Sequence, residues 1–466
     1  MKKNYFIFLF LLALFNCRSE SGVNDDNTMP IDPNIPPVNN LVQYEYKGCD
    51  GFVEFDSTNK SFLLFLRSRG FDLNNDAKIS CDEASKITEL TNLTAVSNLK
   101  GIEALSNLKK LQGDIFTGDG SKLLVNLYNN NSLTEINLNT SNNGSFVVLP
   151  KNSILKKLTF PIYSYDAKLE ILNLENQRFL EDLELGAMSG ILNLTNCNLL
   201  KIVKLTQNSL AQINFSEQLN TNLTSLIVGQ YNTPGNVVKT KNTITNINLS
   251  KFPNLLDLNL NNVGLQQIDL NNNINIQKID VSTNKLNTLL INKNLNLKFL
   301  YADHNRIDNL ILTNNTLLED LDVSANWMPN IDLTKNQKLK KLKISGNILS
   351  TLDTSKNIEL QELYCGSNIL TSINPLPNIN LVFLYCENNK ITNIDLSKNP
   401  RIIYIDVSGN KLTNFNLRSG NNPNIMYMKA LYVGNAGIII DKGYYPPEPE
   451  YNYNKWYKDS TNRYIN

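Results

Sequence analysis

The chain contains a single histidine, His304, among 466 residues. A nucleophile activated by imidazole, or a zinc ion held by several imidazoles, therefore cannot be assembled beyond that one side chain. Cysteine is also scarce. Six residues do not make a disulfide framework for a chain of this length, so its core must come from apolar packing. An excess of one charge is missing as well: 44 basic residues face 43 acidic ones for a net charge of +1, which leaves no global field to select nucleic acid or anionic lipid. No phosphate-cradling Gly-rich loop appears. No apolar run reaches the roughly 20 residues a membrane-spanning helix needs.

What the chain does have is a period. Leu255, Ile276, Leu297, Leu318, Leu339, Leu360, Leu381 and Ile402 recur every 21 residues without a slip. Each opens the pattern L-x-x-L-x-L-x-x-N, as in LEDLDVSAN, LKKLKISGN, LQELYCGSN and LVFLYCENN, except that the Leu255 unit ends in Val263. Its Asn returns as Asn284, Asn305, Asn326, Asn347, Asn368, Asn389 and Asn410. The apolar places cannot all face one side of a free helix or strand. They can all point inward if each unit is one turn of a coil, with x-L-x-L-x as a short strand paired in parallel to the next at about 4.8 Å. A side-chain amide at the ninth place, where the chain bends off the strand, can satisfy backbone groups of its own and adjacent turns.

This period and consensus resemble the leucine-rich-repeat family. The resemblance implies a solenoid, which is a binding surface more often than a catalyst. A second apolar ladder, from Ile268 and Leu270 through Ile331 and Leu333 to Phe415 and Leu417, is followed by Asn273, Asn294, Asn315, Asn336, Asn357, Asn378 and Asn399. Twenty-one residues leave little room for a helix on that side. The expected fold is an α/β-type solenoid that is mostly β: a parallel sheet on one face, short strands or turns on the other, and a small helical N-terminal cap. Toward the N-terminus the same grammar loosens, with units opening near Leu155, Leu180, Leu200 and Leu223 and a first ladder through Leu90, Leu93, Leu108 and Leu111. Insertions rich in Asn and Gly at Thr117–Gly120, Asn142–Ser145 and Tyr231–Asn242 read as loops. The expectation is about a dozen turns, a rod on the order of 60 Å long.

The first residues read as a secretion signal, residues 1–16, with Lys2 and Lys3 ahead of the apolar run Tyr5–Phe15. The run ends in Leu-Phe-Asn-Cys, which resembles the lipobox of bacterial lipoproteins and implies that Cys17 is acylated and becomes the mature N-terminus. Asn16 departs from the Gly, Ala or Ser usual before that Cys, and ordinary signal cleavage is the other reading. Residues 17–43, with four prolines between Arg18 and Val42 and little that is apolar, read as a flexible tether. The solenoid is then expected over 88–432, between a cap at 44–87 and a second cap at 433–466. Lipid, tether and rod together describe a protein of the cell envelope, anchored to the outer membrane and displayed at the surface.

One segment has the composition of a metal site. Phe71–Glu83 reads F-D-L-N-N-D-A-K-I-S-C-D-E, which can be laid on D-x-[DN]-x-[DN]-G-x₅-E. The pattern resembles a single EF-hand or dockerin-type calcium loop between two short helices, Ser61–Arg69 and Asp82–Ile87. That resemblance implies oxygen ligands from Asp72, Asn74, Asp76, the Lys78 carbonyl, Ser80 and Glu83, with calcium in a structural role. Ala77 stands where the family has Gly at a positive-φ bend, a departure that costs about 1 kcal/mol. An EF-hand-like loop running into leucine-rich turns is similar to secreted bacterial, internalin-like proteins. Cys49 and Cys81 could bridge within this cap, while Cys365 and Cys386 share one inward place in adjacent turns and read as core. Cys197 has no evident partner.

The third, fifth and seventh places of each repeat should point out of the sheet. They include Phe299, Tyr301, Tyr364, Phe383, Tyr385, Tyr404 and Tyr427, interleaved with Asp280, Asp303, Asp320, Asp322, Glu362, Glu387, Asp406, Lys341 and Lys343. Aromatic anchors ringed by charge are the composition of protein interfaces. A macromolecular partner, above all a protein, is therefore expected on this face, with a glycan ligand or a purely structural envelope role as the alternatives. The same aromatics also suit strands for their own sake. The tail YYPPEPEYNYNKWYKD reads as a cap whose prolines and charges stop further strand pairing, or as a Tyr/Trp platform for carbohydrate.

Overall fold

The computed structural model describes residues 44–117, 122–140, 144–161, 168–229, 241–444, 446, 455–458 and 460–465. Residues 1–43, read above as a signal, the acylated Cys17 and a tether, lie outside the described residues. Tyr44–Asn466 forms one compact unit.

Every turn of the coil contributes one strand to a single parallel sheet of 17 strands. It begins at Glu89–Val96, runs through Lys110–Ile115, Glu135–Thr140, Lys157–Phe160 and Asp182–Leu185, and reaches the regular repeats at Asp257–Asn259. There each strand shrinks to three residues, because only x-L-x of each unit lies flat between two bends. Leu258, Ile279, Leu300, Leu321, Leu342, Leu363 and Leu384 are register partners in turn, one per strand. All seven are buried at 1% exposure or less. Burying a Leu or Ile side chain contributes roughly 1.5–3 kcal/mol, and the repeat places several per turn against identical neighbours. The core is thus a continuous column one turn thick. On the opposite side the chain forms turns in the regular repeats. Short parallel sheets appear there toward the ends, among them Asn393–Asp395, Asn414–Asn416, Gly437–Ile439 and Arg463–Ile465.

Both Asn series form the expected ladders, buried at every rung but the part-buried Asn284. In the first, Asn326 Nδ2 donates to the carbonyls of Ala302 at 3.0 Å and Val323 at 3.1 Å, and its Oδ1 accepts from Ile307 N–H at 2.9 Å. In the second, Asn315 Nδ2 donates to Ile291 and Asn294 at 3.0 and 2.9 Å, yet its Oδ1 has no partner. Asn378 differs from its neighbours in that series, since Thr354 Oγ1 donates to its Oδ1 at 2.9 Å.

The eighth place carries a constraint the repeat consensus hides. Asn262, Thr283, His304, Ala325, Ser367 and Asn388 all sit there with φ between 51° and 56°, alongside Gly346 and Gly409 at 67° and 65°. The bend into the Asn needs left-handed backbone, and non-Gly residues hold it under strain.

The N-terminal cap matches expectation in its elements. Helix α1, Ser61–Ser68, packs on the first strand through Phe62, Phe65 and Leu66. Helix α2, Cys81–Ser85, starts in a capping box between Ser80 and Glu83, and Cys49 is bonded to Cys81.

Three expectations are corrected. The coil has 17 sheet strands, not about a dozen, because Glu135–Thr140, Tyr427–Ala430 and Lys455–Lys458 lie outside the regular spacing; at about 4.8 Å per strand the rod is nearer 80 Å. The tail does not stop the sheet: Lys455–Lys458 pairs in parallel with Tyr427–Ala430, so two turns follow the regular repeat that opens at Ile402. Asn242, read as part of an insertion, is a buried rung whose Nδ2 donates to Val228 and whose Oδ1 accepts from Leu210 N–H.

Candidate functional site

Outward residues of the three-residue strands stand in two columns along the sheet. One column runs Asp320, Lys341, Glu362, Phe383, Tyr404, Tyr427; the other runs Asp322, Lys343, Tyr364, Tyr385, Asp406, Lys429. From Asp320–Asp322 to Phe383–Tyr385 each strand alternates an outward, a buried and an outward residue, so a 21-residue step in sequence becomes one step along a column, while Asp406 on the next strand is itself buried.

Five of the seven expected aromatics are thereby gathered on four adjacent strands. Tyr364 and Tyr385 stack face to face, centroids 5.0 Å apart and planes 4° from parallel. Phe383 and Tyr404 repeat the arrangement at 4.9 Å and 5° in the other column. Tyr427 follows, with Tyr457 of the last strand 6.1 Å beyond it. Tyr457 was not anticipated: the period is lost before it, and only the alternation K-W-Y-K, with Trp456 turned inward, signals a strand there. The rings are half-buried by one another. At the other end of the patch Lys343 Nζ lies 5.9 Å from the Tyr364 ring centroid.

Phe299 and Tyr301 are not part of that patch. The strands Asp320–Asp322 and Lys341–Lys343 separate them from Tyr364. Tyr301 instead donates its hydroxyl to Asp320 Oδ2 at 3.0 Å. Charge between the two aromatic groups is internally paired: Lys341 with Glu362 at 2.9 Å and Lys343 with Asp322 at 3.3 Å.

The face is partly desolvated by its own crowding. Burial, helped by the nearby Glu362 carboxylate, pushes the Tyr364 hydroxyl up to about 12, and burial likewise raises Tyr385 and Tyr427. Burial raises Glu387, with Asp406 adding to it, and raises Asp320 despite the hydrogen bond from Tyr301.

The other expected site is the loop Asp72–Glu83. Asp76 N–H lies 3.1 Å from Asp72 Oδ1 and 3.0 Å from Asn74 Oδ1, so those two oxygens converge on one amide. Ala77 takes φ of 72°, the bend for which glycine is usual at that place, and donates its N–H to Asp72 Oδ2 at 3.0 Å. Glu83 is tied across the loop: Oε1 accepts from Leu73 N–H at 2.7 Å, and Oε2 accepts from Ser80 N–H and Oγ at 2.8 Å each. The Lys78 side chain leaves the loop, its Nζ 4.5 Å from the Phe52 ring centroid. Arg67 Nε also donates to Asp72 Oδ2 at 3.0 Å. Among the described residues no group of three or more His, Cys, Asp or Glu converges as a metal cage. Asp72, Asn74 and Asp76 accept from the loop's own N–H groups, while Glu83 serves the helix cap.

No protein-family model matches the chain, and no curated protein does. Solved structures do. The functional domain of InlJ from Listeria monocytogenes superposes with a TM-score of 0.58 at 21% identity, over 78% of this chain and 76% of that one. A leucine-rich-repeat protein of Leptospira interrogans gives 0.59 at 19% identity, over 78% and 91%. YopM, a leucine-rich effector protein from Yersinia pestis, gives 0.51 at 21%, over 73% and 86%. The chain has the leucine-rich-repeat fold.

Within this solenoid the remaining reactive groups have structural places. His304 occupies the left-handed eighth position, its side chain 66% exposed and its Nδ1 2.7 Å from Asp303 Oδ2. Cys365 and Cys386 are fully buried in adjacent turns, and burial drives both thiols well above their ordinary range. Cys197 is buried against the Leu174 carbonyl, its thiol pushed up to about 12 by burial. Trp456, 2% exposed, donates Nε1–H to Ile425 O at 3.2 Å and packs against Tyr444 and Tyr464. The tail tryptophan is therefore core, not a sugar platform. Among the described residues no helix is long and apolar enough to cross a membrane.

Proposed function

We propose that this protein is a cell-envelope recognition protein, and that its leucine-rich-repeat solenoid binds a protein partner through the aromatic end of the sheet. The observation that carries this is the patch itself: Tyr364, Phe383, Tyr385, Tyr404 and Tyr427 on four adjacent strands, stacked in pairs and bordered by Glu362, Asp406 and Lys429. Pre-stacked rings lose little side-chain freedom on binding and offer a rigid apolar centre with charge at its rim, the layout of an interface hot spot. Phe299 and Tyr301, set apart from the patch by two strands, are a secondary contact for a long ligand. The extracytoplasmic setting rests on the N-terminal signal and on Cys17, which as a diacylated residue would hold the rod at the outer membrane by its tether. Calcium, held through Asp72, Asn74, Asp76, the Lys78 carbonyl, Ser80 and Glu83, would stiffen the cap and take no part in recognition; the convergence of the Asp72 and Asn74 oxygens supports it.

The test uses the chain from Arg18 onward as bait, beside a Tyr364→Ala/Tyr385→Ala/Tyr404→Ala variant of equal fold, against surface and secreted proteins and a glycan array. A protein retained by the parent and lost by the variant supports the reading. Glycans retained in that way would replace the protein partner with a sugar. Equal capture by both baits removes the aromatic face from function.

A further inference from the structure

A second surface lies one residue past the buried Asn of each repeat, at the tenth place. On seven successive turns that place reads Lys285, Arg306, Trp327, Ile348, Ile369, Lys390, Lys411. The backbone keeps them in one row. Trp327 N–H donates to Ile307 O at 2.9 Å, Ile348 to Met328 at 3.2 Å, Ile369 to Leu349 at 3.0 Å and Lys390 to Leu370 at 2.8 Å, the same bond one turn further each time. Neighbouring side chains are thus about 4.8 Å apart, and the row is about 30 Å long.

The apolar part of this row is in solvent. Trp327 is 58% exposed, Ile348 53% and Ile369 41%. Around them the seventh and eighth places are small and uncharged: Ser324 and Ala325, Ser345 and Gly346, Gly366 and Ser367. Places seven to twelve of these three turns hold no carboxylate; on the flanking turns those places carry Asp303, Asp308 and Glu387. The four cations at the ends make no ion pair among the described residues, whereas Lys340, Lys341 and Lys343 on the sheet side are all paired. Folding therefore leaves an indole and two isoleucines uncovered, with two unpaired cations at each end.

A row one side chain wide has no ring of neighbours to exclude water around a protein hot spot. A bilayer surface asks for less. Indole settles at the headgroup level, short apolar side chains enter the acyl boundary, and flanking Lys and Arg meet lipid phosphates. We infer that this row is a membrane-contact edge: Trp327, Ile348 and Ile369 dip into the headgroup layer of an anionic bilayer, with Lys285, Arg306, Lys390 and Lys411 on its phosphates. The field is local, so the chain's net charge of +1 does not oppose it. The edge is separate from the aromatic patch, and it does not depend on that patch binding a protein.

The two tryptophans make the test direct, since Trp456 is buried and Trp327 is not. The chain from Arg18 onward, which lacks Cys17 and retains the whole compact unit Tyr44–Asn466, is mixed with vesicles of phosphatidylcholine alone or with 30% phosphatidylglycerol. Flotation and Trp emission are then followed. The expected result is flotation with the anionic vesicles only, with a blue shift that vanishes in Trp327→Phe. Lys390→Gln/Lys411→Gln should weaken binding by about fivefold per charge removed, and Ile348→Ser/Ile369→Ser should weaken it further. All these positions are exposed, so an unchanged unfolding midpoint confirms that each variant is folded. Absence of flotation overturns the proposal, as does flotation that these variants leave unchanged. A blue shift that follows protein concentration without lipid also overturns it, because a second copy would then be covering the row.

Discussion

Tyr364 and Tyr385 lie ring on ring, 5.0 Å between centroids and 4° from parallel, although 21 residues separate them in sequence. Their strands are register neighbours, so the stack is built by the coil and not by either turn alone. Tyr385→Ala should therefore cost about 1 kcal/mol of stability, since the rings are half-exposed. Leu384→Ala, one residue away and fully buried, should cost about 2–5 kcal/mol. Chemical denaturation of the two variants would reveal the order; equal losses would mean the aromatics are core rather than surface.

The two Asn ladders should differ in weight. Asn347 makes bonds to Val323 and Ile344 carbonyls and accepts from Met328 N–H, at 3.0, 3.1 and 3.0 Å. Asn336 makes two, to Leu312 and Asn315, while its Oδ1 stays unpartnered. Each buried backbone group left unpaired costs about 1–3 kcal/mol. Asn347→Ala should thus lower the unfolding midpoint more than Asn336→Ala.

Ala325 holds φ at 51° and Gly346, one turn on, holds 67°. Ala325→Gly should stabilise the protein by about 1 kcal/mol by removing left-handed strain, and Gly346→Ala should destabilise it by a similar amount. A Cβ on Gly346 would meet Ala325 backbone only at 3.5 Å, so conformation and not crowding sets the sign. Thermal melts of both variants suffice.

The N-terminal cap should respond to reductant, acid and calcium. The Cys49–Cys81 bond closes a separation of 32 residues, for which the chain-entropy account gives about 3–4 kcal/mol; dithiothreitol should loosen the cap before the coil. Hydrogen bonds from Ser80 N–H, and then from other donors, hold the Glu83 carboxyl below its ordinary 4.5. Its contribution is present above pH 4.5 and is lost as pH falls through the lower folded value. Asp280, Asp320 and Glu387 have the opposite sign, because burial raises them. What they contribute is present in acid and lost as pH rises through their raised values. Hydrogen exchange from pH 3 to 6 should show acid opening α1 and α2 while the sheet holds, and Glu83→Gln should flatten the cap's response. Millimolar calcium should protect the same two helices in the parent and not in Asp76→Ala.

Much of this was legible in the spacing. A residue 21 places on is the spatial neighbour, so the inward Leu, both Asn series, the buried Cys365 and Cys386 and the outward Tyr columns follow from the string. Where spacing breaks, the string misleads: nothing in it announces the turn at Glu135–Thr140, Asn242 has the look of loop, and the strand of Trp456 and Tyr457 follows a Pro-rich tail. Loop length varies there without changing the strand register, and register is what packing selects.

By itself the sequence determined that the chain coils, which side chains face inward and where each turn bends, because a period shorter than any domain forces each unit to bury itself on its neighbours. Tertiary structure alone decided the number of turns and the left-handed φ at the eighth place, since both follow from closing the coil. It also decided which aromatics touch: Phe299 and Tyr301 share the face with Tyr364 and Tyr385, yet two charged strands keep them apart.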